Sequence, residues 1–185
     1  MSPALQRFSP AQRLLHWLMA VCILAMLFIG VGMVSTVTPA YLLLVSIHKP
    51  LGIVILVLAL IRLAVRLRRG APALPQDMPP AMKLAARLSH LVFYALMIAL
   101  PLLGWAMLSA ADYPVMVLGL RLPAIVAPDA GLHSVLWQAH QFLALAFFAL
   151  ILVHLAAALF HAWVRRDGVF EAMAPTRSAG HDTAR

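Results

Sequence analysis

Four apolar stretches, each long enough to cross a hydrocarbon core, limit what this chain can fold into. They run from Ala11 to Val34, Leu42 to Val65, Leu84 to Leu108 and Leu136 to Val164. A helix crosses the hydrocarbon of a bilayer with about 20 residues. The runs are continuous rather than alternating, so helices are expected, not barrel strands. The predicted class is all-α, an integral membrane four-helix bundle. Composition agrees: 64% of the residues are hydrophobic and 11% charged, against about 45–50% and about 25% in soluble domains. That excludes a disordered chain, a collagen, a soluble α/β enzyme and a disulfide-stapled module. The single cysteine, Cys22, has no intrachain partner and does not reveal a redox compartment. The first run is longer than a signal-peptide core and no Ala-x-Ala site follows it, so it is read as a helix.

The formal net charge of +8 would suggest nucleic acid in a soluble protein. Here it reads as topogenic charge at helix ends, and no nucleic-acid partner is expected. Arg7, Arg13, Arg62, Arg66, Arg68, Arg69, Lys83, Arg87, Arg165, Arg166, Arg177 and Arg185 fall on one side, and only Lys49 and Arg121 on the other. By the positive-inside rule both termini and the middle loop are cytoplasmic. One domain is expected over residues 1–175, with a flexible cytoplasmic tail over 176–185. The proline-rich loop from Gly70 to Pro80 should be extended. The apolar outer segment between Ala110 and Val135 is expected to lie flat at the interface, and Pro101 to kink the third helix. The ten methionines read as lipid-facing or core filler.

Eight histidines are an anomaly in so apolar a chain. Six fall inside the spans: His16, His48, His90, His140, His154 and His161. Ionisable groups at such positions are functional candidates. His140 and His154 are 14 residues apart on the fourth run. At about 100° and 1.5 Å per residue they share a face and lie about 21 Å apart in depth. His48 is level with His140, and His16 with the inner half that holds His154. The pairs His48/His140 and His16/His154 therefore suit two stacked metal sites, and bis-imidazole ligation of haem iron favours electron transfer over oxygen binding. Gly30 follows His16, and Gly104 follows His90, by 14 residues; Gly52 follows His48 by four. Such glycines could leave room for a flat macrocycle, or simply serve helix packing. His133 and His181 lie outside the spans and should be solvated.

The set Arg13-Leu-Leu-His16-Trp17, His48-Lys-Pro-Leu-Gly52, Arg62-Leu-x-x-Arg66, His90-Leu, Leu100-Pro-x-x-Gly104 and His140…His154…His161 resembles the bacterial cytochrome b561 family. The resemblance extends from about Arg7 to Pro175. It is greatest to the small superoxide-oxidising members. It implies a multi-pass protein of the bacterial inner membrane, two b-type haems, and the same pairing of His16 with His154 and His48 with His140. It further implies oxidation of superoxide to oxygen outside and delivery of the electrons to ubiquinone on the cytoplasmic side.

His90 and His161, near the inner end, could bind a backbone carbonyl or a haem propionate, or could hold a quinone headgroup and supply protons. Trp17, Arg87 and Ser89 are further quinone candidates. Arg62 and Arg66 could pair with propionates or act as positive-inside anchors. Lys49 and Arg121 are the cations available to attract superoxide, although Asp112 and Asp129 offset them in formal charge. Two other readings stay open. One is a quinone-linked cytochrome b subunit exchanging electrons with a separate redox protein. The other is a non-redox transport or metal-binding membrane protein, with zinc or copper at the paired histidines.

Overall fold

A computed structural model describes residues 6–175. Four long helices dominate it: α1 (Pro10–Ser35), α2 (Ala40–Arg69), α3 (Pro80–Ala110) and α4 (Ala130–Phe160). Each is long and apolar enough to cross a membrane. In hydrocarbon every backbone N–H and C=O must be satisfied within the chain, which the helix does locally. The helices extend beyond the apolar runs because their ends are capped. Ser9 and Gln12 form a reciprocal capping box ahead of α1. Asp129 accepts the Leu132 N–H at 2.8 Å to start α4. At the end of α2 the Gly70 N–H donates to the Arg66 carbonyl. The α3 helix runs through Pro101, and α2 through Pro50. The expected flexible tail, 176–185, lies outside the described residues.

Side chains such as Val21, Phe28, Phe142 and Val153 are exposed and face outward, where lipid would meet them. The core cluster takes one buried residue from each long helix: Met19, Ala59, Met97 and Phe147. Buried Met19, Met78, Met97 and Met107 are core filler, as expected of a flexible side chain in irregular gaps. Helix α2 packs on α1 and α3, and α3 on α4, whereas α1 and α4 make no comparable backbone approach. The gap between α1 and α4 is where the rings of His16 and His154 meet.

The outer segment departs from the expected flat interfacial arrangement. It is an antiparallel hairpin, β1 (Val115–Val117) and β2 (Leu120–Leu122), paired Val115 to Leu122 and Met116 to Arg121. Its turn residues Leu118 and Gly119 both have positive φ, the backbone that a tight two-residue hairpin requires. Trp105 Nε1 donates to the Pro123 carbonyl at 3.0 Å, and the Ile125 N–H donates to Ser109 Oγ at 3.2 Å. Those bonds fasten the segment to the end of α3 and bury Val115. His133 is likewise not simply solvated: its Nδ1 lies 2.9 Å from the Met107 carbonyl. His181 lies outside the described residues.

At the opposite end, α4 continues into a π-helical turn, His161–Arg165, followed by the short α5 (Val169–Met173). Helix α5 folds back on α1. Trp17 Nε1 donates to the Met173 carbonyl at 2.9 Å, and Arg7 and Arg13 donate to the Ala174 carbonyl at 2.7 and 3.2 Å. Cations and donors are well placed there, because the last carbonyls of a helix lack internal partners. The loop before α3 is largely extended, as expected, but turns at Gln76-Asp77 and buries Met78.

Candidate functional site

Two imidazole pairs stand at two depths of the bundle. His48 on α2 faces His140 on α4 with ring centres 6.2 Å apart. His16 on α1 faces His154 on α4 at 6.3 Å. Two metal–imidazole bonds of about 2.0–2.1 Å, with roughly 1 Å from each nitrogen to its ring centre, place two rings about 6 Å apart across one metal. Both pairs match that spacing. Among the described residues, the buried Nδ1 atoms of His16 and His48 have no hydrogen-bond partner. Orphaned buried polar nitrogens are rare unless a ligand takes them.

The outer pair has a built surround. His140 Nδ1 lies 3.1 Å from the Leu100 carbonyl, which fixes the ring's orientation and frees Nε2, the usual arrangement around a ligating imidazole. A Cβ at Gly104 would stand 3.3 Å from His140 Cε1, so glycine is what lets this ring lie against α3. His48, Lys49, Gly52, Gly104, Val115 and His140 border one cleft, partly open to the exterior. A Cβ on Gly30 would meet no atom within 4 Å and one on Gly52 only the tip of Met26. Lys49 therefore borders the outer cleft, while the exposed Arg121 sits on the hairpin beside Asp112 and Tyr113.

The inner pair is more crowded. His90 on α3 also faces His154, at 6.4 Å, while its Nδ1 contacts the Ala86 carbonyl. The Phe93 ring lies 5.0 Å from His154 and 5.8 Å from Phe147. Phe147 falls midway between His140 and His154 in sequence, about 10 Å from each along the helix. The space between the two sites is thus filled by aromatic side chains. Arg62 lies over the Tyr94 ring and Arg66 over the Phe8 ring. Among the described residues neither guanidinium has an acidic partner, so both are available to an anionic group such as a propionate.

Of the remaining candidates, Trp17 turns its ring edge to His16 and its N–H to α5. Arg87 is exposed, and Ser89 Oγ donates to the Ala86 carbonyl of its own helix. His161 turns to Asp167, with its Nδ1 2.8 Å from Oδ2. The Asp167 carboxylate, Arg165, Asp77, Phe93 and the hairpin were missed from the sequence. The only signal was an acid directly after Arg165-Arg166, in a chain with six acidic residues. Among the described residues no three His, Cys, Asp or Glu side chains converge as a closed metal site, and a pair suits the two axial positions of a porphyrin iron better than a tetrahedral zinc centre.

A sequence profile described as Prokaryotic cytochrome b561 matches residues 7–176. The chain belongs to the prokaryotic cytochrome b561 family. It is 30% identical to "Cytochrome b561 homolog 1" of Escherichia coli K12, over 94% of this chain and 99% of that protein. It is 33% identical to "Probable superoxide oxidase CybB" of Yersinia pestis, over 71% of this chain and 74% of that one. A second E. coli K12 relative, "Cytochrome b561 homolog 2", is 30% identical over 91% of each. This family member is accordingly a multi-pass bacterial membrane haem protein with an electron-transfer, redox function, and haem b is the family's cofactor.

Proposed function

We propose that this cytochrome is a di-haem oxidoreductase of the inner membrane that moves electrons from superoxide on the outer face to ubiquinone at the cytoplasmic end. The observation that carries the reading is the pair of facing imidazole sets, His48 with His140 and His16 with His154, at two depths. His48 and His140 would hold an outer haem b, and His16 and His154 an inner one. The haems supply reversible one-electron chemistry. The chain would supply the ligating nitrogens and the second bonds that orient them, such as His140 to Leu100. It also supplies the Phe93–Phe147 packing between the sites and the cations at either end. Arg62 and Arg66 would neutralise inner propionates. His16 is favoured over His90 as the partner of His154 because its side chain is partly buried while His90 is exposed.

At the outer face, Lys49 borders the cleft and Val115 closes part of it, which suits a small anion rather than a bulky reductant. The name of the Yersinia relative points the same way. Two electrons delivered inward and two protons from the cytoplasmic end convert the quinone to quinol. With both termini cytoplasmic, His90, His161 and Trp17 would surround the headgroup.

The test is spectroscopic. Purified protein should show a reduced b-type spectrum with two haems per chain. Superoxide generated enzymatically should reduce the haems, and added ubiquinone should reoxidise them. Haems that superoxide leaves oxidised, but quinol or a soluble cytochrome reduces, would instead favour the quinone-linked subunit.

A further inference from the structure

The inner end holds a charged cluster that the haem sites do not use. His161 Nδ1 and Arg165 Nε both bond Asp167 Oδ2, at 2.8 and 2.9 Å, and Arg165 also reaches Asp77 at 3.2 Å. Side-chain exposure runs 12% for His161, 7% for Asp167, 21% for Arg165 and 76% for Asp77. The cluster thus leads from a buried imidazole to the surface.

The backbone is bent to make it. Six residues along a regular α-helix lie about 240° round the axis, so Asp167 would face away from His161. The π-helical turn, closed by the Arg166 N–H on the His161 carbonyl at 2.8 Å, together with positive φ at Arg166 and Gly168, returns the carboxylate to the ring. Single π turns are concentrated at functional sites, and positive φ at a residue like arginine has a conformational cost.

We propose that Asp167 is a positioning residue for proton exchange with the quinone: it accepts the Nδ1–H of His161 and so leaves Nε2, on the opposite side of the ring, as the atom that trades a proton with a quinone oxygen. The inference rests on the quinone reading above. Which imidazole nitrogen carries the fixed proton is decided by the bond the other makes. During quinone reduction the Nε2–H bond of the protonated ring breaks as the quinol O–H bond forms, with the electrons supplied by the reduced cytochrome. The neutral ring keeps its Nδ1–H on Asp167, and Nε2 regains a proton from water.

The charged surroundings fit the assignment. Burial pushes the Asp167 carboxyl up, but hydrogen bonds from His161, Arg165 and the Val169 N–H outweigh it and hold the group below the ordinary carboxylate range. Asp167 therefore stays an anion at neutral pH and can only accept. From the preceding loop, Asp77 faces Arg165. From α3, Lys83 is turned to the Gln76 carbonyl. Glu171 of α5 and the neighbouring Arg166 are exposed.

The experiment compares wild type, Asp167→Asn and Asp167→Glu as haem-loaded protein in lipid nanodiscs. Haem content should stay at the wild-type level in both variants. Maximal reoxidation of the reduced haems by short-chain ubiquinone should fall about 10–100-fold in Asp167→Asn, the usual effect of losing the partner of a functional imidazole. Asp167→Glu should recover most of it. Ring ¹⁵N NMR should show His161 held as the Nδ1–H form in wild type and as a tautomer mixture in Asp167→Asn. Equal reoxidation rates in all three proteins, or wild-type His161 in the Nε2–H form, would overturn the assignment. The NMR result also judges it should Asp167→Asn fail to fold. A wild type that ubiquinone does not reoxidise would instead reject the quinone reading on which the inference depends.

Discussion

Gly104→Ala gives the most local test of the outer site. The added Cβ would stand 3.3 Å from His140 Cε1 and 3.6 Å from Nδ1, whereas unstrained carbon contacts lie at about 3.5–4.0 Å. The ring must therefore retreat by a few tenths of an ångström. It has little room, because its Nδ1 is tied to the Leu100 carbonyl of α3, one turn before Gly104. Overpacking of this kind costs about 1–3 kcal/mol, equivalent to about 5–150-fold in affinity. The helix itself should not suffer, since alanine is favoured over glycine in helix interiors by about 1 kcal/mol. The expected variant is a folded protein with normal inner haem and weakened outer haem. Haem titration of apo-protein, read by the reduced-minus-oxidised spectrum, separates the two sites. Two haems bound with unchanged affinities would refute the claim that Gly104 exists to seat His140.

Four further outcomes follow from the same geometry. His48→Ala or His140→Ala should lower haem content from two per chain to one; unchanged stoichiometry by pyridine haemochromogen assay would reject that pairing. His16→Ala should lose the inner haem whereas His90→Ala keeps both and slows reoxidation by quinone, and the reverse result would make His90 the partner of His154. Changing Lys49 and Arg121 together to Gln should slow haem reduction by superoxide and flatten its salt dependence, with quinol-side reduction unaltered; equal slowing from both sides would indicate damage to the haems themselves. Because Asp167 titrates below the ordinary carboxylate range, its contribution to stability is present at neutral pH and lost as pH falls below about 4 through the folded value. Hydrogen exchange in residues 166–175 should therefore rise in acid before the helices loosen, and uniform behaviour across the chain would contradict this.

The bundle itself was legible in the sequence because a bilayer imposes one simple rule, that about 20 consecutive apolar residues must form a helix. Helix periodicity and depth also put His48 level with His140 and His16 level with His154, since a position along a straight membrane helix converts directly into height. The hairpin was not legible. Its residues are apolar like those of an interfacial segment, and tertiary bonds such as those of Trp105 to Pro123 and of Ile125 to Ser109 draw it over the outer cleft. Nor could the closeness of His90 to His154 be read, because spacing gives the level of a residue but not the rotation of its helix against its neighbours.

The sequence by itself determined four membrane helices, the levels of their histidines and the charge bias between the two ends. Those properties depend on local composition and on a helix's regular rise. Tertiary structure alone decided that Gly104 meets His140 and that α5 is latched onto α1. It also decided that Asp167 returns to His161 through a π-helical turn. Each of these depends on a few bonds between distant segments, or on a departure from regular helix, and no local pattern of residues encodes them.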